Sequence, residues 1–428
     1  MKIAVVGAGW AGLAAAVRAT QCQHQVSLYE MAAVPGGRAR SVLHQDRVGD
    51  NGQHILIGAY LRTLDLMKTV GVVPGEVLHR QALVLRYPDG RGLALPEGGA
   101  WWTLAVAVVR CRGWTWSDRW SLLREAMGWA RGGFVCSSDT TVAILCQRLT
   151  PAVRSLLIDP LCVAALNTPA QEASARVFLR VLRDTLLGGR RSTDLMLPKR
   201  PLGELLPAAA ITWLAARGTN LHLGQRVQDL RNEGRGWQVD GQAFDAVILA
   251  CSAAEAARLV GGWAPDWARR AAALAYEPII TVYLDCPGAR LPSTMTALCE
   301  DDASPAQFAF DHGALGGPPG QFAFVVSGAR KWVDRGLEAT TKAVLAQALG
   351  SMPAGTWPQP PVLSRVVAEK RATFRCTPAL DRPPMEIAPG LLAAGDYVAG
   401  PYPATLEGAV RSGESAVAAL NDAAEQKA

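Results

Sequence analysis

The sequence has no Cys-x-x-Cys pair, and its nine cysteines are an odd number scattered singly between positions 22 and 376. This spacing encodes neither a zinc site nor a disulfide framework, so we expect no metal and reduced thiols. The chain also has no run of five like charges, and its net charge of +6 is spread along its length. Nucleic acid is therefore not expected as a partner.

No apolar run is long enough to cross a bilayer, which takes about 20 residues. The most hydrophobic stretch, residues 101–109, stops at Arg110, and tryptophans at positions 114, 116 and 120 follow among arginines. This mixture is typical of an element that lies on an anionic membrane surface, and it also fits a core helix with aromatic packing. The sequence leaves both interpretations open.

Met1 and Lys2 lead straight into an apolar stretch that is broken by glycines, which does not fit a signal peptide. We therefore expect a cytoplasmic protein, which contacts the inner membrane peripherally if the tryptophan-rich element lies on lipid. At 428 residues, half of them hydrophobic, the chain is long enough for two domains or for a discontinuous pair that shares a core.

The first thirty residues have the pattern of a dinucleotide-binding βαβ unit. A short apolar strand, an alanine-rich helix and a second strand are predicted over residues 3–6, 13–20 and 25–29. Gly7 permits the tight turn, Gly9 lets the backbone approach a pyrophosphate at the helix N-terminus, and Gly12 permits close helix packing. The carboxylate of Glu30 is suited to hold both ribose hydroxyls and would repel a 2′-phosphate. The candidate cofactor-binding residues of this unit are Gly7, Ala8, Gly9, Gly12 and Glu30.

A second glycine pair follows Glu30. Gly36 and Gly37 precede Arg38 and Arg40, two arginines spaced to approach the same pyrophosphate from its other side. This extension resembles the N-terminal FAD motif of the amine oxidase and phytoene desaturase superfamily. The resemblance implies FAD as the cofactor and adds these four residues to the cofactor-binding candidates.

A further glycine motif stands near the other end of the chain, where Gly395 and Asp396 close an apolar strand. This pair resembles the C-terminal flavin motif of the same superfamily, although an aspartate here also fits a turn or a helix cap. The helix predicted over residues 407–421 would direct its N-terminal amides towards the flavin ring. Glu407, Gly408 and Ala409 are therefore cofactor-binding candidates, as is Val227 at the end of a strand predicted over residues 221–227.

These motifs predict an α/β fold whose Rossmann-like FAD-binding domain is assembled from discontinuous segments. Its segments are residues 1–60, 190–261 and 385–428, which include apolar strands predicted over residues 244–250 and 391–396. Residues 61–189 and 262–384 are expected to form an inserted α+β substrate domain that carries the candidate membrane-contact element. That domain is predicted from amphipathic stretches such as 164–187 and from strands over 279–284 and 322–326.

The candidate catalytic residues lie in the segment Asp50-Asn51-Gly52-Gln53-His54, which places a carboxylate, two amides and an imidazole within five residues. The superfamily resemblance places this segment beside the flavin ring. Asp50 and His54 are the candidate proton donors. The same letters are also an ordinary turn pattern with a structural histidine, so that interpretation stays open.

Longer strings narrow the resemblance to one family. Residues 50–60, 160–169, 174–182 and 193–198 resemble the hydroxysqualene dehydroxylases, squalene-associated flavoproteins of bacterial hopanoid gene clusters. The resemblance implies an enzyme that replaces the hydroxyl of hydroxysqualene, a C30 isoprenoid alcohol, with hydrogen to give squalene. In that reaction a hydride enters as water leaves, and Asp50 or His54 would supply the proton.

The sequence leaves two alternatives and one partner undetermined. A carotenoid-type polyene desaturase would share the fold and the apolar tunnel but run the flavin in the opposite direction. A non-catalytic FAD-binding partner of a prenyl synthase would keep the cofactor site without turnover. No second Gly-x-Gly-x-x-Gly motif provides a nicotinamide site, so the electron donor is not identified.

Overall fold

The computed structural model describes residues 1–44, 47–96, 101–234 and 236–426. The strands are β1 (Lys2–Val6), β2 (Gln25–Glu30), β3 (Ser41–His44), β4 (Arg47–Asp50), β5 (Leu56–Ile57), β6 (Leu78–Gln81), β7 (Val84–Arg86), β8 (Gly92–Ala94), β9 (Leu195–Pro198), β10 (Asn220–Leu223), β11 (Leu230–Asn232), β12 (Trp237–Val239), β13 (Gln242–Phe244), β14 (Ala246–Leu249), β15 (Tyr276–Asp285), β16 (Met295–Ala297), β17 (Phe308–Asp311), β18 (Gln321–Val326), β19 (Val362–Phe374), β20 (Glu386–Ala388) and β21 (Leu391–Ala393).

The α-helices are α1 (Trp10–Gln21), α2 (Leu61–Thr69), α3 (Pro74–Val77), α4 (Trp101–Arg110), α5 (Trp116–Arg131), α6 (Val142–Leu145), α7 (Pro151–Val153), α8 (Asp159–Leu166), α9 (Ala175–Leu187), α10 (Leu202–Leu205), α11 (Pro207–Ala215), α12 (Ala253–Val260), α13 (Pro265–Ala272), α14 (Arg330–Arg335), α15 (Leu337–Ser351) and α16 (Leu406–Glu425). A π-helical turn over Arg154–Ile158 leads into α8, and a 3-10 turn covers Gly313–Leu315.

A mostly parallel sheet forms the nucleotide-binding layer, in the order β10-β2-β1-β14-β21-β20. The central strand β1 pairs in parallel with β2 on one side and with β14 on the other, so Ile3 lies between Val26 and Ala246. Strands of this sheet come from all three segments predicted for the FAD-binding part. The predicted α/β fold class is confirmed, whereas the exact division into domains stays a prediction.

Helix α1 packs closely on this sheet because the residues on its contact sides are glycine and alanine. A Cβ atom on Gly12 would lie 1.7 Å from the carbonyl oxygen of Gly7, and one on Gly413 of α16 would lie 2.1 Å from that of Ala11. Both helices therefore approach their neighbours at distances that only glycine allows. The alanine-rich face of α1 is buried in the same core.

An antiparallel sheet faces the nucleotide-binding layer, in the order β16-β17-β18-β15-β19. Successive side chains of β15 point to opposite faces of this sheet, and both faces are buried. Ile280 and Val282 pack with Trp332 and other apolar residues of α14 and α15. The intervening side chains, including Ile279 and Thr281, lie on the face that looks towards the glycine motifs.

Two predicted segments differ in extent from the elements of the structure. The strand predicted over residues 221–227 is shorter, because β10 covers only Asn220–Leu223, where it pairs in parallel with β2, and Val227 lies beyond its end. The amphipathic stretch 164–187 is divided, because α8 ends at Leu166 and Asn167 adopts a left-handed conformation with φ of 48°. The Asn167 amide then bonds the backbone of Glu277 and Gly328, which fixes the break against the antiparallel sheet.

The tryptophan-rich element divides between core and surface. Trp114 is buried, whereas Trp116 and Trp120 on α5 are 67% and 64% exposed. The side chains of Trp101 and Trp102 lie outside the described residues. Within the described ranges, no helix has both the length and the apolar character that a membrane crossing requires.

Candidate cofactor and active site

A cavity of about 680 Å³ lies between the two sheets. One side is formed by the carboxyl ends of β1 and β14 and by the glycine turns that follow β1 and β2. The opposite side is the inward face of the antiparallel sheet. Ligands of open α/β sheets bind at the carboxyl ends of the strands, so the cavity stands where the fold predicts a nucleotide.

The two N-terminal glycine turns are in direct backbone contact. Gly7 has φ of 111° and donates its N–H to the Tyr29 carbonyl at 2.7 Å. Gly36 donates to the Ala8 carbonyl at 2.8 Å, and a Cβ atom on Gly37 would lie 3.1 Å from the Cα of Gly9. This contact places both turns at the N-terminus of α1, where backbone amides favour a phosphate.

Glu30 lies at the end of β2 with its carboxylate fixed by backbone. Its two oxygens accept the N–H groups of Ala8 and Ala32, each at 2.8 Å, and the residue is 8% exposed. A carboxylate has about four acceptor positions, so two remain for hydroxyl donors in the cavity. This geometry fits a ribose.

An ion pair joins the second N-terminal turn to the C-terminal motif. Arg38 Nη2 lies 2.5 Å from Asp396 Oδ1, and Arg38 Nη1 donates to the Ala372 carbonyl at 2.8 Å. The Asp396 side chain is 8% exposed, whereas Arg38 is 40% exposed because it faces the cavity. The N-terminal and C-terminal motifs that resemble flavin motifs are therefore in direct contact in the structure.

The residues present fit FAD. Glycine leaves room for a close pyrophosphate at Gly9, where a Cβ atom would have no neighbour nearer than 3.8 Å. Glu30 offers acceptors to a ribose, and the buried hydroxyl of Tyr397 lines the cavity without a hydrogen-bond partner among the described residues. A 2′-phosphate would meet the Glu30 carboxylate, which disfavours NADP-type ligands.

Most of the predicted cofactor-binding residues line this cavity. They are Gly7, Gly9, Glu30, Gly36, Gly37, Arg38, Arg40, Val227, Gly395, Asp396 and Ala409. Four others lie behind its wall. Ala8 donates its N–H to Glu30, Gly12 serves helix packing, and Gly408 donates its N–H to the Thr405 hydroxyl.

Glu407 is the fourth residue behind the cavity wall, and its carboxylate contacts α2 and Arg411. The residue is 1% exposed, and its carboxylate accepts the backbone N–H and the hydroxyl of Thr63 at 2.9 and 2.8 Å. It also pairs with Arg411 at 2.7 Å. Glu407 therefore caps the start of α2 and ties that helix to α16, and its carboxylate does not face the cavity.

The candidate proton donors Asp50 and His54 are not equivalent in space. The Asp50 carboxylate accepts the Ser41 hydroxyl at 2.9 Å and the Leu202 N–H at 2.8 Å, outside the residues that line the cavity. Burial raises the pKa of Asp50. This carboxylate holds the β3–β4 hairpin against α10, and a role as proton donor to a ligand in the cavity does not fit its position.

His54 lines the cavity, and its ring is oriented by backbone. Its Nδ1 lies 3.2 Å from the Gly52 carbonyl, which can only accept, so Nδ1 carries the hydrogen. Burial lowers the pKa of His54, so the ring is neutral near neutral pH. Its Nε2 is then a hydrogen-bond acceptor, and donation of a proton requires a more acidic solution.

Tertiary contacts add residues that no motif indicated. Gln53 Oε1 lies 2.9 Å from His312 Nε2, and the Asn51 amide donates to Glu369 at 3.0 Å. These bonds tie the 50–54 segment to the antiparallel sheet. Thr281 of β15 also lines the cavity, yet within the alternating stretch 279–284 nothing in the sequence distinguishes it from other inward-facing residues.

The model of the family described as flavin containing amine oxidoreductase matches residues 10–421 of the chain. Hydroxysqualene dehydroxylase from Rhodopseudomonas palustris is 28% identical over 430 residues, which cover 96% of this chain and 96% of that protein. Zeta-carotene desaturase from Synechocystis is 39% identical over 74 residues, which cover 17% of this chain and 15% of that protein. The structure of an oxidoreductase from Methanosarcina mazei is similar in fold, with a TM-score of 0.74 at 17% identity and coverage of 97% of this chain and 99% of that chain.

Proposed function

The chain belongs to the flavin-containing amine oxidoreductase family, and from that premise we propose that it is an FAD-dependent enzyme that reductively removes the hydroxyl group of hydroxysqualene to give squalene. The observation that carries the proposal is the composition of one cavity. It joins a dinucleotide cradle to an apolar sheet face. The nearly full-length similarity to a hydroxysqualene dehydroxylase supports this substrate.

The apolar face has the chemistry that a polyprene requires. Ile279, Phe308, Phe310, Val325 and Val367 line it. The charged Glu369, which is paired with Ile279 in the sheet and accepts the Asn51 amide, marks the edge of this apolar patch. Burying hydrocarbon against such side chains is favourable by about 25 cal/mol per Å² of apolar surface. Aromatic faces there also favour positive charge that develops on an allylic carbon when its hydroxyl leaves.

Gly9, Gly37 and Glu30 would hold the dinucleotide part of FAD, and the Arg38–Asp396 pair would lie beside it. When bound and reduced, FAD supplies the hydride that replaces the hydroxyl. The 50–54 segment stands between this cradle and the apolar face, where Gln53 is held by His312. His54 remains the candidate for proton transfer to the departing hydroxyl, for which its Nε2 must first take up a proton.

The proposal includes a peripheral membrane contact through α5. Trp116, Trp120 and Met127 are exposed and recur at spacings that place them along one side of the helix. Arg119 lies over the Trp116 ring at 5.0 Å, and Arg124 is exposed. Exposed tryptophans flanked by arginines suit an anionic lipid surface, from which a C30 substrate would enter.

The proposed activity is tested with purified holoenzyme under anaerobic conditions. Hydroxysqualene is added to chemically reduced enzyme, and products are analysed by gas chromatography. Squalene is expected with reduced flavin and not with oxidised flavin. Reduced, FAD-loaded enzyme that yields no squalene would contradict the proposal and favour a non-catalytic partner of a prenyl synthase.

The polyene desaturase alternative is supported by similarity to zeta-carotene desaturases over 17% of the chain. It predicts the opposite direction of hydride transfer, from a polyene to oxidised flavin. Oxidised enzyme is therefore mixed with phytoene, and the flavin spectrum is followed. We expect no bleaching, and bleaching with formation of a desaturated product would favour the alternative.

A further inference from the structure

Thr281 is an unpartnered hydroxyl in an apolar wall. It lies in β15, the strand between β18 and β19, where it stands opposite Val325 on one side and Val367 on the other. All three residues line the cavity. Directly paired residues of neighbouring strands project from the same face, so the Thr281 side chain is flanked by two valines.

The Thr281 hydroxyl is buried and has no hydrogen-bond partner among the residues that the structure describes. The residue is 1% exposed. A buried hydroxyl without a partner is unfavourable, and native proteins keep few such groups. A valine of the same shape would fill this position without that cost. The presence of a hydroxyl here therefore indicates that a ligand in the cavity provides its hydrogen-bond partner.

The position of Thr281 indicates which ligand. A Cβ atom on Gly52 would lie 3.5 Å from Thr281 Oγ1, so the hydroxyl stands beside the 50–54 segment that also carries His54. Among the described residues, the other buried hydroxyl of the cavity without a partner, on Tyr397, lies at the flavin motif, where its ring would be 2.7 Å from a Cβ atom on Gly395. Thr281 is therefore the one of the two that belongs to the apolar, substrate-facing wall.

We propose that Thr281 is a specificity-determining residue that hydrogen-bonds the hydroxyl oxygen of the substrate, an inference that rests on the function proposed above. The bond places the carbon–oxygen bond at the 50–54 segment and leaves the hydrocarbon chain on Ile279, Phe310 and their apolar neighbours. Sites built to pair with a hydroxyl discriminate against analogues that lack it, because the polar group is then left unpaired. The squalene product lacks the oxygen, so it would bind more weakly than the substrate and leave.

The test measures ligand binding to oxidised holoenzyme, in which no turnover consumes the alcohol. Hydroxysqualene and squalene are titrated separately, and the perturbation of the flavin spectrum gives each dissociation constant. Thr281→Val is expected to weaken hydroxysqualene binding by about fivefold or more and to leave squalene binding unchanged. Thr281→Ser keeps the hydroxyl and is expected to stay within about twofold of the unmodified enzyme.

Thr296→Val is the matched control. Thr296 is also 1% exposed and also lies in the antiparallel sheet, but its hydroxyl is 3.2 Å from that of Ser293 and it does not line the cavity. This control is expected to lower the thermal midpoint without changing either dissociation constant. Thr281→Val is expected to keep or raise the midpoint, because it removes an unpartnered group.

Three outcomes would overturn the inference: unchanged alcohol binding in Thr281→Val, equal weakening of alcohol and hydrocarbon, or loss of flavin from the variant. Unchanged alcohol binding would mean that Thr281 makes no hydrogen bond to the substrate. Equal weakening would mean that the residue only packs against the hydrocarbon, and loss of flavin would mean that its hydroxyl binds the cofactor. Failure of the proposed function is distinguishable, because it would appear as absence of squalene formation by the unmodified reduced enzyme.

Discussion

Gly9 and Gly12 belong to one motif, yet the structure predicts opposite consequences when each is replaced by alanine. Gly9 has φ of −71°, which any residue adopts, and a new Cβ atom would meet only the Cα of Gly37 at 3.8 Å. Gly12→Ala would place its Cβ atom 1.7 Å from the Gly7 carbonyl oxygen and 3.2 Å from the Cβ of Ala250. One substitution fills the cavity, and the other forces a helix away from its sheet.

These distances set the magnitudes. Gly9→Ala changes a helix N-cap from glycine to alanine, which costs at most about 1 kcal/mol of folding free energy. Its methyl group would crowd a pyrophosphate, and overpacking of about 1–3 kcal/mol corresponds to FAD binding weakened by about fivefold to 150-fold. Gly12→Ala requires a backbone shift, for which a loss of about 3 kcal/mol or more in stability is expected.

Two measurements separate the variants. Thermal unfolding followed by circular dichroism should give a near-normal midpoint for flavin-free Gly9→Ala and a strongly lowered midpoint, or no folded protein, for Gly12→Ala. Titration of the apoprotein with FAD should give a raised dissociation constant for Gly9→Ala. Gly350→Ala in α15 is the control, because its Cβ atom would meet nothing within 4 Å, and both measurements should stay normal or improve.

A Gly9→Ala protein that binds FAD as tightly as the unmodified chain would refute the reasoning, because the methyl group would then not meet the cofactor. Equal destabilisation by the two substitutions would refute it as well, since the structure places a clash at Gly12 alone. The first result would mean that the first turn after β1 does not hold the pyrophosphate, and the second that α1 does not pack against this turn as closely as the structure shows.

Three further predictions follow from contacts of the site and of α5. Asp396→Asn removes the negative partner of Arg38, so the variant should retain less FAD after gel filtration, whereas Asp396→Glu should retain more than the asparagine variant. Because burial lowers the folded-state pKa of His54, the unfolded chain binds its proton first as pH falls below about 6.5. The free energy of unfolding should therefore decrease with acidification in urea titrations, and His54→Gln should show a shallower decrease. Replacing Trp116 and Trp120 by serine should reduce sedimentation with anionic vesicles and leave the thermal midpoint unchanged, since both rings are exposed; unchanged sedimentation would contradict the proposed lipid contact.

Short-range features of the site were predictable from sequence because they form within one stretch of chain. The strand, turn, helix and second strand of residues 2–30 are adjacent in sequence, and glycine spacing alone specifies the turn between them. The family resemblance inferred from the sequence is confirmed by the match over residues 10–421. The α/β class follows from the same alternation of strands and helices.

Side-chain direction was not predictable, because it depends on segments that are distant in the chain. Asp50 is a predicted catalytic carboxylate, but in the structure it accepts a hydrogen bond from the Leu202 N–H. Glu407 is a predicted flavin contact, but its carboxylate accepts a hydrogen bond from the Thr63 N–H. Arg38 and Asp396 are 358 positions apart and meet only when β21 joins the parallel sheet.

The amino-acid sequence by itself determined the glycine turns of the cofactor site. Turns and helix starts form within a short stretch of chain, and the backbone conformations and close contacts that they need are ones that glycine allows. The tertiary structure alone decided which polar groups face the cavity and which are used to hold helices and hairpins together. Thr281 belongs to the second kind: its hydroxyl is one of many in the sequence, and only the pairing of β15 with β18 and β19 leaves it between two valines without a partner. The physical reason is that a buried polar group is satisfied or orphaned by neighbours brought from elsewhere in the chain.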